Sequence, residues 1–377
     1  MPAVHGRASG VADLRFGFIG AGFVAGVHAE AFAEVRGASI AVVYSRSADR
    51  ARAFAAAHGI PRATDDWRSV VADRDVDAVL VMLPNHLHAE VVQAAAACGK
   101  HVLVEKPLCL TLDEADAMIG ACRRAGVVLG YGEQLCFAPK YERLRALAGE
   151  GAFGRVYHLR QAEKHSGPHA DWFWDVLSSG GGALMDMGCH AFGWFRWVLG
   201  PSFRPSEVLC RCDTQLHGER TRGDDHSIAV VTFRDASGHI ATAQAEDSWA
   251  KPGGMDDRAE LYGTGGVGYA DLFRGGSSLV FSEQGYGYAM EKAGDTRGWS
   301  FVLAEEIHQQ GYPQQMQAFV DCVRQGRPPA QSGEDGRAVL EMILAAYASA
   351  GRGAAVALPF QPQPGVRLPV ELWRPVS

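Results

Sequence analysis

The patterned part of the chain begins with an apolar run, Leu14 to Ile19, which ends in glycines and is followed by an alanine-rich helical stretch, Val27 to Val35. Short apolar runs then predict strands at Ser39 to Tyr44, Ala78 to Leu83, His101 to Val104 and Val127 to Gly130, with helical spacing between them at Ala89 to Cys98 and Asp113 to Ala125. Thr111 and Glu114 have the spacing of a capping box at the start of the last helix. Strands separated by single helices predict a parallel sheet with right-handed crossovers. Ligands of such sheets bind beyond the carboxyl ends of the strands, which directs attention to the loops 20–25, 44–50, 83–88 and 105–107.

Beyond Gln134 the alternation stops. Strand patterns occur at Val156 to Lys164, Val208 to Cys212, Ser227 to Phe233, Ile240 to Glu246, Glu260 to Gly263 and Ser278 to Ser282, and helical patterns at Gln314 to Arg324 and Glu334 to Ala350. A chain of 377 residues is also longer than one core usually supports. We expect an extension at 1–12, a dinucleotide-binding domain at 13–133 and a second, α+β domain at 134–377.

Composition narrows the partners. With 47% hydrophobic and 21% charged residues and a net charge of −7 without a basic block, a small molecule is the expected partner rather than nucleic acid. Eight cysteines, none in CxxC spacing, are expected as reduced thiols. No apolar run reaches the roughly 18 residues of a membrane helix, and residues 1–12 lack the features of a signal peptide, so no membrane partner and a cytoplasmic setting are expected.

The candidate chemistry sits in the loops named above. Gly20 permits a tight turn, Gly22 leaves room for a pyrophosphate, and small Ala25 lets helix and strand pack closely. After the second strand, where a carboxylate would bind the ribose of NAD, stand Ser45 and Arg46; a hydroxyl and a guanidinium suit a 2′-phosphate, so NADP is favoured over NAD, the alternative being a solvated loop arginine. Lys106, in Glu105-Lys106-Pro107, follows a parallel strand and can stabilise an alkoxide, with Glu105 placed to hold or tune it. Asp186 and His190 are four positions apart, which on one helix is a shared face: a histidine acid/base with an orienting carboxylate, or a capped structural helix with an incidental histidine.

Together these residues resemble the glucose-fructose oxidoreductase, inositol dehydrogenase and rhizopine-catabolism family (Gfo/Idh/MocA), over nearly the whole chain. The resemblance rests on Gly20-x-Gly22-x-x-Ala25-x-x-His28, Pro84-Asn85-x-x-His88, Glu105-Lys106-Pro107, Glu133 with Phe137 and Pro139, Asp186-x-x-x-His190, and Ser332-Gly-Glu-Asp-Gly. It implies that Lys106, Asp186 and His190 are catalytic, with His190 the acid/base. It implies cofactor contacts from Gly20, Gly22, Phe23, Val24, Ala25, Ser45, Arg46, Leu83, Pro84, Asn85, His88, Glu105, Lys106 and Gln134. The implied fold is a Rossmann domain followed by a largely antiparallel, open-faced sheet that often mediates homo-oligomers, with helix 334–350 returning to the Rossmann domain. Two departures stand out: Gly193 occupies the place, three residues after the histidine, where many members have an aspartate, and Gln134 stands where many have asparagine.

Between the first strand of the second domain and Asp186, the segment 164–175 mixes polar groups with Trp172, Phe173 and Trp174. Aromatic faces and fixed polar groups suit carbohydrate, so His165, Trp172 and Trp174 join Lys106, Asp186 and His190 as expected substrate contacts. Histidine and carboxylate could instead bind a metal through His165, His169, Asp186 and His190, but their spacing matches no ligand motif and hydride transfer needs none, so no metal is expected. Three classes remain: a dehydrogenase or reductase acting on a sugar, glycoside or inositol; a lyase or glycosidase using a retained nicotinamide for transient oxidation; and a cofactor-sensing protein without turnover.

Overall fold

The computed structural model describes residues 13–274, 278–303 and 305–376; the extension expected at 1–12 lies outside the described residues. The first part of the chain runs β1 (Leu14–Ile19), α1 (Phe23–Ala31), β2 (Ala38–Tyr44), α2 (Ala48–His58), β3 (Ala63–Thr64), α3 (Trp67–Ala72), β4 (Ala78–Val81), α4 (His88–Ala97), β5 (His101–Glu105), α5 (Leu112–Ala125) and β6 (Leu129–Gly132). The second runs α6 (Pro139–Gly149), β7 (Val156–Lys164), α7 (Val176–Ser179), α8 (Ala183–Asp186), α9 (Gly188–Leu199), β8 (Arg204–Asp213), β9 (His226–Arg234), β10 (Ile240–Ser248), β11 (Asp256–Gly263), β12 (Gly266–Asp271), β13 (Ser278–Ser282), β14 (Gly298–Val302), α10 (Glu306–Gln309), α11 (Tyr312–Gln325), α12 (Gly333–Arg352) and β15 (Val356–Ala357).

The six strands of the first sheet lie in the order β3-β2-β1-β4-β5-β6 and pair in parallel throughout. This is a Rossmann-type sheet whose order reverses between β1 and β4, and the crevice at that switch point is where its ligands bind. Local chemistry fixes the helix ends: the Ser47 side chain caps α2, and Thr111 and Glu114 form the expected capping box on α5. Helix α1 has no side-chain cap, and it starts at Phe23, directly after Gly22, rather than near Val27. Its first-turn amides therefore face the crevice without a side-chain acceptor.

The second sheet, β12-β11-β7-β10-β9-β8-β15, is antiparallel except for the parallel pair β7 and β10. One face buries Leu159, Val208, Ala229, Val231, Ala243 and Leu261 against α9 and α12, while Leu209, Ile228, Val267 and Tyr269 stand exposed on the other. Two helices from the end of the chain return to the first sheet. From α11, Met316, Phe319 and Val320 pack against Phe16, Phe18 and Leu103, with the Phe16 and Phe319 rings edge to face at 6.0 Å. α12 reaches α5 through Arg337 and Asp116, and it reaches the second sheet through Ser349, whose Oγ accepts from the amide of Cys210.

The stretch from Asp186 to His190 is not one helix. α8 ends at Asp186, Met187 takes φ −106° and ψ −30°, and α9 restarts at Gly188, so the two side chains are not held as neighbours one turn apart. The glycines before them follow from crowding. A Cβ on Gly182 would lie 1.7 Å from the carbonyl oxygen of Asp224, because the Asp224 carboxylate accepts from the amides of Gly182 and Leu184 and from the Tyr347 hydroxyl.

Candidate active site

The carboxyl ends of β1, β4 and β5 meet the end of β7 and the junction of α8 and α9 around a cavity of about 870 Å³. Gly22, Phe23, Val24, Leu83, Asn85, Glu105, Lys106 and Gln134 line its Rossmann side; Glu163, His165, Trp172, Phe173, Asp186 and His190 line the other. Gly20 turns with φ +134°, and a Cβ on Gly22 would meet nothing within 4 Å. Open space at Gly22 beside an uncapped helix start fits a dinucleotide diphosphate.

Lys106 is the junction of the two sides. Its Nζ donates to the carbonyl and to Oδ1 of Asp186, each at 2.9 Å, which leaves one of three N–H bonds for a ligand. Burial alone would disfavour both charges, yet each holds the other: the Lys106 ammonium stays well above its ordinary pKa and the Asp186 carboxyl well below its own. Asp186 Oδ2 accepts from Trp249 Nε1 at 3.1 Å, so both carboxylate oxygens are spoken for.

His190 is oriented by Glu133 and not by Asp186. Its Nδ1 lies 2.7 Å from Glu133 Oε1, both side chains are buried, and its Nε2 points toward Glu163 Oε2 at 3.9 Å. A carboxylate at Nδ1 fixes the tautomer with Nε2 as acceptor. The geometry also explains Gly193, because a Cβ there would come 3.0 Å from Glu133 Cγ and 3.4 Å from Cδ. Glu133, arriving from the end of β6, fills the space into which an aspartate at 193 would project.

Other expectations are corrected. The Glu105 carboxylate does not reach the Lys106 ammonium; Oε1 pairs with His28 Nε2 at 2.6 Å, and Oε2 accepts only the Lys106 backbone amide. His88 is fully buried, with its ring nitrogens against the carbonyls of Leu83, Pro107 and Leu108, so it ties two cofactor-side loops together instead of facing the cavity. Trp174 is turned away from the cavity and packs against Trp249, His217 and the guanidinium of Arg220, while Phe173, stacked on Trp172 at 3.8 Å, takes its place in the wall. Ser45 is buried behind β2, and Arg46 is exposed, with no hydrogen bond or ion pair among the described residues.

His165 Nδ1 donates to the carbonyl of Gly167 at 2.7 Å. Burial, with His169 beside it, pushes the ring down to about 3, so it is neutral in the folded protein. The residues that sequence reasoning missed are Glu163, Trp249 and the orienting role of Glu133. Glu163 was findable, since it stands two places before His165 at the end of a strand; nothing in the pattern marks Trp249. The compact set of possible metal ligands among the described residues is Glu133, Cys189 and His190, within 4.8 Å of one another, and not the set His165, His169, Asp186 and His190.

Comparison with known proteins agrees with this geometry. Residues 14–133 match the model of the Gfo/Idh/MocA oxidoreductase family with an NAD-binding Rossmann fold, and residues 141–267 match its C-terminal domain. The chain is 30% identical to a myo-inositol 2-dehydrogenase of Thermotoga maritima, over 89% of this chain and 96% of that one. It is 33% identical to a D-xylose 1-dehydrogenase (NADP(+)) of Haloferax volcanii, over 84% and 91%. Among solved structures, GenD2 from gentamicin A biosynthesis, in complex with NAD, superposes with a TM-score of 0.86 at 33% identity, covering 95% of this chain and all of that one. Two-domain architecture, glycine loop and near full-length similarity agree: the chain belongs to the Gfo/Idh/MocA oxidoreductase family and is an NAD(P)-dependent dehydrogenase or reductase.

Proposed function

We propose that the protein interconverts a ring hydroxyl and a ring carbonyl on a sugar, glycoside or inositol, with Lys106 and His190 acting on the same oxygen. The observation that carries the reading is the meeting of the Lys106–Asp186 pair and the Glu133-held His190 in the cavity that also contains the glycine loop. Gly22, Phe23, Val24, Leu83, Asn85 and Gln134 would hold the dinucleotide, and when bound its nicotinamide exchanges a hydride with the substrate carbon. Oxidation also releases the hydroxyl proton, which His190 Nε2 takes, and the free N–H of Lys106 stabilises negative charge growing on oxygen. Asp186 keeps Lys106 charged and aimed, so its part is electrostatic positioning.

The inositol and xylose relatives are named dehydrogenases, which favours this reading over a lyase, a glycosidase or a protein that only senses cofactor. NADP is the proposed cofactor. Ser45 and Arg46 follow β2 in place of a carboxylate, and Arg46 is uncommitted among the described residues. The outward sheet face with Leu209, Ile228, Val267 and Tyr269 is proposed to be covered by a second copy of the chain, and the free thiols suit a cytoplasmic setting.

Stopped-flow absorbance of the nicotinamide over a panel of sugars and inositols tests the activity, with calorimetric titration of both cofactors alongside. We expect NADP(H) to bind more tightly than NAD(H), and Arg46→Ala to reduce that ratio about tenfold while leaving NAD(H) affinity nearly unchanged. An unchanged ratio would exclude Arg46 as the discriminating residue. Substrate conversion without any absorbance change would replace the dehydrogenase reading with transient oxidation.

A further inference from the structure

The cavity is strongly acidic for a sugar site. Among the described lining residues are eight carboxylates and a single lysine, with no arginine. Most carboxylates near the reacting end are already committed: Glu105 to His28, Asp186 to Lys106, Glu291 to His169. Glu30 and Glu305, toward the groove between α1 and α10, have no ion-pair partner among the described residues.

The end of β7 adds an independent observation. Glu163 and His165 are two residues apart, line the same cavity and are 94% or more buried, yet Glu163 Oε2 and His165 Nε2 have no hydrogen-bond partner. His165 Nε2 is an acceptor, since Nδ1 already donates to Gly167 and the ring is neutral, and Glu163 Oε2 becomes one when its carboxyl ionises. Leaving such atoms unsatisfied is costly. A hydroxyl brings one donor, whereas an ammonium brings three together with the charge this wall lacks.

We propose that the substrate carries a protonated amine, as an amino sugar or aminocyclitol, and that the amine is received by Glu163 Oε2 and His165 Nε2. This rests on the dehydrogenase reading for where the reacting carbon sits, but not for the preference itself. The electrostatics around Glu163 agree: burial first, then Asp257 of β11, Asp186 of α8 and Asp247 of β10, hold its carboxyl well above the ordinary range, with Lys106 opposing. His190 of α9, at 3.9 Å, is a further titratable neighbour, as are Cys189 of α9, Tyr141 of α6 and Tyr312 of α11. A cation arriving there would favour the ionised carboxylate, so amine binding should release a proton from the wall.

The test is isothermal titration of the full chain with NADP+ or NAD+ present. The probes are two matched pairs, D-glucosamine against D-glucose and scyllo-inosamine against scyllo-inositol, in two buffers of different ionisation enthalpy and at low and high salt. At least one amine should bind about tenfold more tightly than its hydroxyl counterpart, as a charge-assisted bond exceeds a neutral one. Its binding should release up to one proton and weaken with salt. Glu163→Gln should remove the amine's advantage over its hydroxyl partner while leaving cofactor affinity within about twofold; if that variant does not fold, proton release and salt dependence in the unmodified protein decide. Equal or tighter binding of the hydroxyl compound in both pairs overturns the proposal and leaves the dehydrogenase intact. Amine preference without reduction of the cofactor does the reverse.

Discussion

At the scale of single residues, the site is organised by two buried pairs rather than by one triad. Glu133 holds His190 as Asp186 holds Lys106, and neither carboxylate reaches the other's partner by a hydrogen bond. Glu133→Gln keeps the size and one acceptor but removes the charge that stabilises the imidazolium. We expect turnover to fall about tenfold to a hundredfold with cofactor affinity unchanged, because the imidazolium formed when His190 takes the proton loses the carboxylate that stabilises it. Unchanged turnover in steady-state kinetics would show that Glu133 merely packs. His165 makes a second prediction. Its folded value near 3 lies below the ordinary value of about 6.5, so between these two pH values the unfolded chain binds a proton that the folded one refuses. Stability withheld by this residue is therefore lost as pH falls below about 6.5 and unaffected above it. His165→Asn should flatten the dependence by up to about 1.4 kcal/mol per pH unit in that window, read from denaturant unfolding at several pH values.

Elements show where sequence pattern suffices and where it stops. Five of the six parallel strands were legible to within two residues because each is an apolar run bounded by turn residues, whereas the two-residue β3 (Ala63–Thr64) is too short to show a pattern; the β5 loop brings Lys106 to the cavity as expected. α2, α3 and α6 were passed over because their buried stripes are narrow: α2 buries only Ala51 and Ala55, α6 only Tyr141 and Leu144. The helix break at Met187 was invisible, since it depends on Asp224 and Tyr347, far away in the chain, gripping the glycines before it. The aromatic segment was legible as a cluster but not in orientation. Asp171–Trp174 is a single tight turn of 3₁₀ helix that sends its rings to two sides: Trp172 and Phe173, stacked on each other, line the cavity, and Trp174 packs outside it between Trp249 and His217. Trp172→Ala should raise KM severalfold with little change in Tm. Trp174→Ala should do the opposite, losing about 2–3 kcal/mol of stability and disturbing turnover only through Trp249 and Asp186. The reverse pattern in thermal melts and steady-state kinetics would reassign the two rings.

For the whole molecule, the decisive feature is that the first sheet is completed by the end of the chain. One of its faces is covered by Met316, Phe319 and Val320 of α11, and α12 then bonds to α5 on one side and to the second sheet on the other. The fragment 13–133 contains every strand of the Rossmann sheet, yet it leaves Phe16, Phe18 and Leu103 without their cover. Expressed alone it should bind a hydrophobic dye and lack a cooperative melt, whereas the full chain should unfold in one transition; a sharp melt of the fragment would refute this. The same feature sets an order of events during synthesis. All six strands of the first sheet have been translated by residue 132, but α11 is complete only at residue 325, which at usual elongation rates is about 10–40 s later. Throughout that interval the nascent dinucleotide-binding unit has an open apolar flank, so capacity to bind cofactor should emerge late in translation, and chaperones that shield apolar surface should be held on the first third of the chain until its last third emerges.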